Sequence, residues 1–388
     1  MTELSSLSPT QRHRRWLEIA GRLLWLELVG GYALVSLYVF VQRLGGTNPG
    51  SDFILFYGAS LLALAGDAAA IFDWPALRIA QESVIGDPAP YLPWLYPPPL
   101  MLIAAPLATL PYIPAFAVWI TVQLALLAAA VRGMKQGSMA FLAIMVFPAS
   151  INNILVGQNG ALSAALLGGG LVILQRHPHL AGVMFGLLIY KPHLAVVVPF
   201  ALLAVGAWRT IAAAMASALG VSLLSLMFFG TAPWSAFLQA APAGTRALEY
   251  GSDHWPKMPT VFSALRLFGA EVPLAYAGQG VSAILAILLV IYLWRRGTAL
   301  PLRASALIFA TFLATPYAFF YDLVVLIFAI LWLGCGERSP GNRLILSLLW
   351  LAPVALWLLA RYSQISLWPI LLAGCLAWVY LRARREAC

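Results

Sequence analysis

Long apolar runs, each ended by glycine, proline or charged residues, dominate the sequence. A bilayer core of about 30 Å requires roughly 20 apolar residues per helix, and runs of about that length recur along the whole chain. We predict twelve membrane crossings, at residues 17–41, 113–131, 139–156, 159–175, 180–190, 194–208, 210–229, 274–294, 304–320, 322–335, 344–360 and 366–381. The expected fold class is therefore an all-α polytopic membrane protein, with residues 1–388 forming one transmembrane domain.

Two segments between these runs, residues 42–112 and 230–273, are too long to be simple turns. Long connections in a compact fold are usually functional. The first contains FILFYGASLLALAG directly after Asp52, which predicts a helix in the membrane interface. It also contains a proline-interrupted stretch from Tyr96 to Tyr112, which predicts a re-entrant or interfacial hairpin.

Composition excludes a soluble protein, because 62% of the residues are hydrophobic and only 10% are charged. The formal net charge of +9 does not indicate nucleic-acid binding, since the basic residues lie at the ends of the apolar runs and not in a groove with aromatic residues. The three cysteines, Cys335, Cys375 and Cys388, show neither metal-ligand spacing nor a disulfide framework.

The distribution of charge gives the orientation of the chain in the membrane. With the N-terminus in the cytosol, fifteen Lys and Arg fall on the inner side and seven on the outer side, as the positive-inside rule requires. Most acidic residues fall on the outer side, although that rule does not depend on them. We therefore predict cytosolic termini and an outer, working face that carries residues 42–112 and 230–273.

Asp52 is the first candidate for chemistry. It lies in NPGSDFILFYGAS, where a turn brings a carboxylate to the start of a helix, so that it could act as a general base. Asp52 or Ser51 could equally be a helix cap that accepts backbone N–H bonds.

Lys191 and His193 lie in a turn between two short apolar arms, in LLIYKPHLAVVVPF. The arms span only about 16 and 21 Å, so the turn should lie below the outer surface, where a cation suits a lipid-linked phosphate. The alternative is a lysine that snorkels to the interface and a histidine bonded to the backbone.

Further polar residues at the outer turns are candidates for binding a sugar or an acceptor. For the amides of VGQNG the alternative is helix capping, and for the aromatic residues it is a membrane-interface belt. For Asp322 the alternatives are that it caps a helix or orients a basic partner. The candidates are Tyr96, Gln158, Asn159, His254, Lys257, Tyr317 and Asp322.

The order of these motifs resembles glycosyltransferase family 87, which belongs to the polytopic GT-C enzymes and includes polyprenyl-phosphate-mannose-dependent α-1,2-mannosyltransferases. The similarity is carried by SDFILFYGASLLALAGDAAAIFD, by YPPP with PLATLP, and by the segments that follow them. Those segments are VGQNGALSAALLGGG, LAGVMFGLLIYKPHLAVVVP and TPYAFFYDLVVL. The resemblance implies a GT-C-like bundle with extracytoplasmic loop helices.

It also implies a bacterial inner-membrane enzyme with its active site on the extracytoplasmic face. Such an enzyme moves a sugar, mannose in the best-known case, from a polyprenyl-phosphate donor to a lipid or glycan acceptor. Asp52 occupies the place of the general base, and the Lys191 turn lies close to the donor phosphate. We expect inversion at the anomeric carbon, with no cofactor and no metal, because the sequence shows no acidic pair or His/Cys cluster at metal-ligand spacing.

Two other classes of protein share this composition. A transporter or lipid flippase would place polar residues along a path between the two faces, whereas here they gather on one face, with Glu18, Arg22 and Glu27 as the main exceptions. A lipid-linked glycan polymerase or ligase would use the same donor chemistry and would differ in its acceptor.

The predicted orientation can be tested with a membrane-impermeant thiol reagent on intact cells. A variant that retains Cys388 alone should react only after permeabilisation, whereas a second variant with its single cysteine at Ser252 should react at once. Labelling of Cys388 in intact cells would place the C-terminus outside and reverse the orientation.

Overall fold

The computed structural model describes residues 50–86, 92–134, 138–334 and 340–386. The predicted crossing at 17–41, with Glu18, Arg22 and Glu27, lies outside these residues. Within them every regular element is helical. The α-helices are α1 Phe53–Leu64, α2 Trp74–Ile85, α3 Met101–Ala104, α4 Tyr112–Arg132, α5 Ser138–Val146, α6 Pro148–Val156, α7 Gly160–Ile173, α8 Pro178–Leu187, α9 Val198–Ala204, α10 Trp208–Phe229, α11 Ala232–Tyr250, α12 Val261–Leu267, α13 Val272–Arg295, α14 Leu300–Ala314, α15 Leu326–Gly334, α16 Pro340–Ser363 and α17 Trp368–Arg385. Short 3₁₀ helices lie at Ala70–Phe72, Pro98–Leu100, Ala105–Thr109, Leu188–Tyr190, Pro192–Ala195, Trp255–Lys257 and Phe320–Val325.

Four of the described helices, α4, α10, α13 and α16, are long and apolar enough to cross a bilayer on their own. The count of twelve crossings is not confirmed. Several predicted runs are shorter or broken. The run 139–156 divides into α5 and α6 at Pro148, because proline removes a backbone donor and interrupts a helix that hydropathy alone would continue. The run 322–335, which contains no proline, begins as a 3₁₀ helix before α15.

Helix α1 was predicted to lie in the membrane interface, but its first eight residues, Phe53–Ser60, are all buried inside the protein. A helix that is apolar on every side is a core element and not a surface helix with one free face. The proline-rich stretch after it is broken into three short helical pieces, as its sequence predicts. It packs on α1, where the Tyr57 hydroxyl donates to the Leu110 carbonyl at 2.9 Å.

The segment 230–273 is mainly helical, with the 19-residue helix α11, the 3₁₀ turn Trp255–Lys257 and helix α12. Its small core holds Leu248, Trp255 and Phe262. The Trp255 indole donates to the Leu248 carbonyl at 2.8 Å, which ties the turn to the end of α11. The segment 230–273 is therefore an ordered element that can hold its side chains in fixed positions.

Helix α7 lies among several neighbours, which are α4, α8 and the 3₁₀ helix Phe320–Val325. Three consecutive glycines, Gly168 to Gly170, permit this close packing. A Cβ on Gly168 would overlap the Phe328 ring, and one on Gly170 would meet the Phe185 ring. Small residues at helix contacts are typical of membrane bundles, where packing replaces the hydrophobic driving force.

Helices α8 and α10 pack through Gly182 and Gly186, which are spaced as in a GxxxG motif. A Cβ on Gly186 would overlap the Ser217 hydroxyl and the Ala214 carbonyl, and one on Gly182 would overlap the Thr210 carbonyl. Because two of these three groups belong to backbone, they cannot move aside without shifting the helix. This contact fixes α8, whose last residue leads into the Lys191 turn.

Gly186→Ala should destabilise the protein by about 1–3 kcal/mol, because overpacking forces α8 and α10 apart. Gly220→Ala on α10 is the matched control, since a Cβ there meets nothing within 4 Å. The control should be neutral or slightly stabilising, as alanine is the better helix former. Thermal unfolding in detergent measures both variants, and equal melting temperatures would contradict the close contact.

Candidate functional site

Asp52 lies where the start of α1 meets the turn between α6 and α7. Its backbone N–H donates to the Val156 carbonyl at 2.8 Å. Gly50 and Gly157 both have φ of 76°, and a Cβ on Gly157 would lie 2.6 Å from Cβ of Phe53. Glycine is needed at both positions because the backbone is left-handed and the two segments approach closely.

Aromatic packing under this junction fixes its position. Phe53 meets Phe116 edge to face at 5.4 Å between ring centroids, and Phe56 lies 4.9 Å from Trp119. The Trp119 indole donates to the Gly157 carbonyl at 2.9 Å. A rigid apolar base therefore supports the carboxylate above it.

The Asp52 side chain does not act as the helix cap that was the alternative interpretation. It stands at the N-cap position of α1, but it accepts no hydrogen bond from the first turn. Its Oδ2 accepts from the Gln158 amide at 3.1 Å, and its Oδ1 accepts from the Ser51 hydroxyl at 3.1 Å. The carboxylate is thus directed toward the VGQNG turn, and it is partly exposed.

Tyr96 connects Asp52 to the Lys191 turn. Its hydroxyl donates to Oε1 of Gln158 at 3.1 Å, which orients the amide so that the nitrogen faces Asp52. The Lys191 ammonium lies 5.8 Å from the centre of the Tyr96 ring. The carboxylate and the cation, which are 139 positions apart in the sequence, are joined through two intervening side chains.

Lys191 forms a buried ion pair with Asp322, at 2.6 Å between Nζ and Oδ1. The two side chains are only 3% and 1% exposed. The Tyr321 ring centre lies 4.8 Å from the ammonium, and Oδ2 of Asp322 accepts from the Phe319 N–H at 3.0 Å. Asp322 therefore both caps its own 3₁₀ helix and orients the lysine, with both oxygens engaged.

The Lys191 ammonium has three donors, and Asp322 takes one of them. The buried pair is also neutral as a whole, which the sequence could not reveal. The lysine is consequently a fixed hydrogen-bond donor with a neutralised charge in this structure, and not a free cation.

His193 lies close by, with its ring edge to face against Tyr317 at 5.4 Å. Its Nε2 is buried and has no hydrogen-bond partner among the described residues. A buried polar atom without a partner is unusual and calls for an explanation such as a ligand or a water. This observation concerns Nε2 alone, so the alternative of a histidine that bonds the backbone through its other ring nitrogen stays open.

Asn159 presents the same feature. It is fully buried beside Gln158, and neither Oδ1 nor Nδ2 has a hydrogen-bond partner among the residues described. Its neighbour Asn153 is a cap, because its Oδ1 accepts from the Gly160 N–H at 2.7 Å. Asn159 is thus the amide whose oxygen and nitrogen are both left without a partner among the described residues.

His254 approaches the site from the segment 230–273. Its ring lies 6.1 Å from Phe319, which stacks on Tyr321 at 5.4 Å. Partial desolvation, followed by the charge of Lys257, lowers the pKa of His254, while Asp253 and Asp52 oppose this shift. This shift favours the neutral imidazole, and in that form the ring can both donate and accept a hydrogen bond.

Lys257 is exposed at the end of its 3₁₀ turn. Among the described residues no hydrogen bond or ion pair joins it to Asp52 or Lys191, so it contributes charge near His254 and not a contact. The other candidate residues that the sequence predicted lie close together, linked by the hydrogen bonds and ring contacts described above.

Sequence reasoning gave no role to Tyr321 or to Phe319, although they form the wall between Lys191 and His254. The dense aromatic run TPYAFFYD was the available signal, but an interface belt explains such runs equally well. Within the described part of the chain, no group of three His, Cys, Asp or Glu is placed to hold a metal ion.

A helical bundle with long apolar helices and a buried polar site defines an integral membrane protein. Glycosyltransferase family 87 matches residues 94–316, more than half of the chain, and the protein belongs to this family. It is therefore a membrane glycosyltransferase. Neither curated proteins nor solved structures gave a significant match. Tyr96, Gln158 and Lys191 lie within the matched range, whereas Asp52 and Asp322 lie outside it.

The ion pair can be tested through stability alone. Lys191→Met should destabilise the protein by about 3–5 kcal/mol, because it leaves a buried carboxylate without its partner. The double variant Lys191→Met with Asp322→Asn removes that charge, keeps an oxygen for the Phe319 N–H, and should recover most of the loss. Thermal unfolding measures both; a double variant that unfolds no later than Lys191→Met would contradict the pairing.

Proposed function

We propose that this glycosyltransferase moves a sugar from a polyprenyl-phosphate donor to a lipid or glycan acceptor on the extracytoplasmic face, with Asp52 as the general base. The observation that carries the proposal is the chain of contacts from Asp52 through Gln158 and Tyr96 to Lys191. It supports a carboxylate and a donor-phosphate region in one site. Mannose is the sugar that the family resemblance favours, and a bacterial inner membrane is the expected location.

In the proposed reaction, Asp52 removes the proton from an acceptor hydroxyl. The hydroxyl oxygen then attacks the anomeric carbon while the bond from that carbon to the phosphate oxygen breaks. The bonding electrons leave with the polyprenyl phosphate, and the proton on Asp52 passes to solvent. Gln158 and Ser51 donate to the two Asp52 oxygens and hold them in position for this transfer.

The negative charge that develops on the leaving phosphate needs fixed donors. We assign this role to the unused donors of Lys191 and to Nε2 of His193, which is buried and unpartnered. Donors placed before the reaction stabilise developing charge because they need no reorganisation, and one such donor is typically worth about 2.7–4 kcal/mol. Asp322 contributes indirectly by keeping the lysine in place.

Sugar or acceptor hydroxyls would meet Asn159, Tyr96 and Gln158 on one side and His254 on the other. Asn159 is the strongest candidate for binding a hydroxyl, because neither its amide oxygen nor its amide nitrogen has a hydrogen-bond partner among the described residues. We propose that Tyr317 forms the wall that keeps the His193 ring in place. Lys257 belongs to the approach to the site, where its positive charge would attract an anionic acceptor or headgroup.

A single base favours inversion of configuration, because a retaining enzyme needs a second carboxylate about 5 Å from the first. Asp67 and Asp73 follow the far end of α1, which at 12 residues is about 18 Å long. Asp322 is engaged by Lys191 and by the Phe319 N–H. The new glycosidic bond should therefore have the opposite anomeric configuration to the donor, which NMR of the product can read.

Asp52→Asn should lower kcat by at least ~10²-fold, the usual contribution of a general base, while KM and the melting temperature change little. Asn retains an oxygen for the Gln158 amide, so the local fold is preserved. Asp67→Asn is the matched control, because Asp67 only accepts from the Ala70 N–H in a surface turn. The assay follows label from a radiolabelled polyprenyl-phosphate sugar into glycolipid without added metal.

Normal turnover by the folded Asp52→Asn variant would remove Asp52 from the mechanism. Uptake of label into vesicles without a covalent product would instead favour a transporter. A labelled polymer in place of a single added sugar would favour a polymerase or ligase.

A further inference from the structure

A cavity lies at the end of the bundle opposite the candidate site. Helix α7 begins beside Gln158 and ends at Ile173, directly before Leu174 in the cavity wall. Its 14 residues span about 21 Å, which separates the two places. In the topology predicted from the sequence, this is the cytosolic end.

The cavity has a volume of about 420 Å³, within the range of ~300–1,000 Å³ found for small-molecule sites. Its walls come from the connections before α8 and α10 and from the facing ends of α13 and α14. None of the described residues that line it is acidic. The lining residues on which the argument depends are Leu174, Pro178, Val205, Arg209, Trp294 and Arg303.

Two guanidinium groups line this cavity. Arg303 stacks on Trp294, with 4.9 Å between the guanidinium carbon and the ring, and the Trp294 indole donates to the Arg303 carbonyl at 3.1 Å. The Nε of Arg303 is buried and has no hydrogen-bond partner among the described residues. Arg209, on α10, also lines the cavity and is exposed. An anion between the two would supply an acceptor for Arg303.

The arginines, and not the helix dipoles, give this end its positive charge. Three helices begin at the cavity, α8 at Pro178, α10 at Trp208 and α14 with Arg303 in its first turn. Three helices also end there, because Leu174 and Val205 follow α7 and α9, and Trp294 lies in the last turn of α13. The positive N-termini and the negative C-termini therefore offset one another. The connections 174–180, 205–210 and 295–303 contain five arginines and no carboxylate.

The apolar part of the cavity wall indicates that the ligand has an apolar portion beside its anionic group. Leu174, Pro178 and Val205 make part of the wall apolar, and Trp208 is 66% exposed among the lining residues. An apolar wall beside two guanidiniums fits an amphiphile better than a free inorganic ion. The positive-inside rule accounts for arginines at this end, but it requires neither a cavity nor a stacked guanidinium.

We propose that this cavity binds one anionic phospholipid, with its phosphate between Arg209 and Arg303 and an acyl chain along the apolar wall. Basic pockets between membrane helices on the cytosolic side recognise lipid phosphates in this way. The binding is separate from sugar transfer and does not depend on the function assigned to Asp52.

Native mass spectrometry of the full chain in detergent, titrated with phosphatidylglycerol or phosphatidylcholine, tests the proposal. One phosphatidylglycerol should bind with higher affinity than phosphatidylcholine. Arg209→Gln and Arg303→Gln should each weaken that binding by at least about tenfold, the loss expected for one charged hydrogen bond. Arg295→Gln is the matched control, because Arg295 is exposed at the same end but does not line the cavity. It should change binding by less than about fivefold.

Arg209 is exposed, so its variant keeps the fold even if the Arg303 variant is destabilised, and melting temperatures identify that case. Equal losses in Arg295→Gln and Arg209→Gln would overturn the proposal in favour of diffuse surface attraction. Equal binding of phosphatidylcholine would overturn the role of the charge. Displacement of phosphatidylglycerol by millimolar inorganic phosphate would show that a free anion is the ligand and would overturn the lipid assignment.

Discussion

The ion pair between Lys191 and Asp322 is the interaction on which the site depends. Two charges inside an apolar bundle are stable only together, since each alone would lack both water and a partner. Because the two residues lie 131 positions apart, the pair fixes the turn after α8 against the 3₁₀ helix that precedes α15. Tyr96 and Tyr321 then lie against the ammonium, and Gln158 and Asp52 follow from Tyr96.

The described helical bundle is polarised. Carboxylates, amides and aromatic rings gather around Asp52 and Lys191, whereas arginines gather around the cavity at Arg209 and Arg303. Glycines on α7 and α8 allow the helices between the two ends to pack closely. This packing keeps the distance between the candidate site and the cavity fixed. Such a division suits a protein whose chemistry we assign to one membrane surface while the other surface anchors it.

The sequence singled out much of the candidate site. Lys191, His193 and Asp322 stand out as ionisable groups beside apolar runs, whereas Asp52 and Gln158 were selected because they lie at predicted outer turns. The structure brings all five into one neighbourhood. It could not show that Asp322 neutralises Lys191, since no local pattern encodes a contact between distant segments. The helical class was also predictable. Hydropathy does not register the break at Pro148, so the run 139–156 was predicted as one crossing where the structure has two short helices. The burial of the first eight residues of α1 could not be predicted, because an apolar sequence is compatible with a helix at the membrane interface and with a helix in the protein core.

The most direct measurement is a structure of the protein with a polyprenyl-phosphate sugar bound. The account predicts the phosphate within hydrogen-bond distance of Lys191 or His193, and the face of the sugar opposite the phosphate turned toward Asp52. A phosphate bound elsewhere, with Asp52 separated from the anomeric carbon by protein, would contradict it.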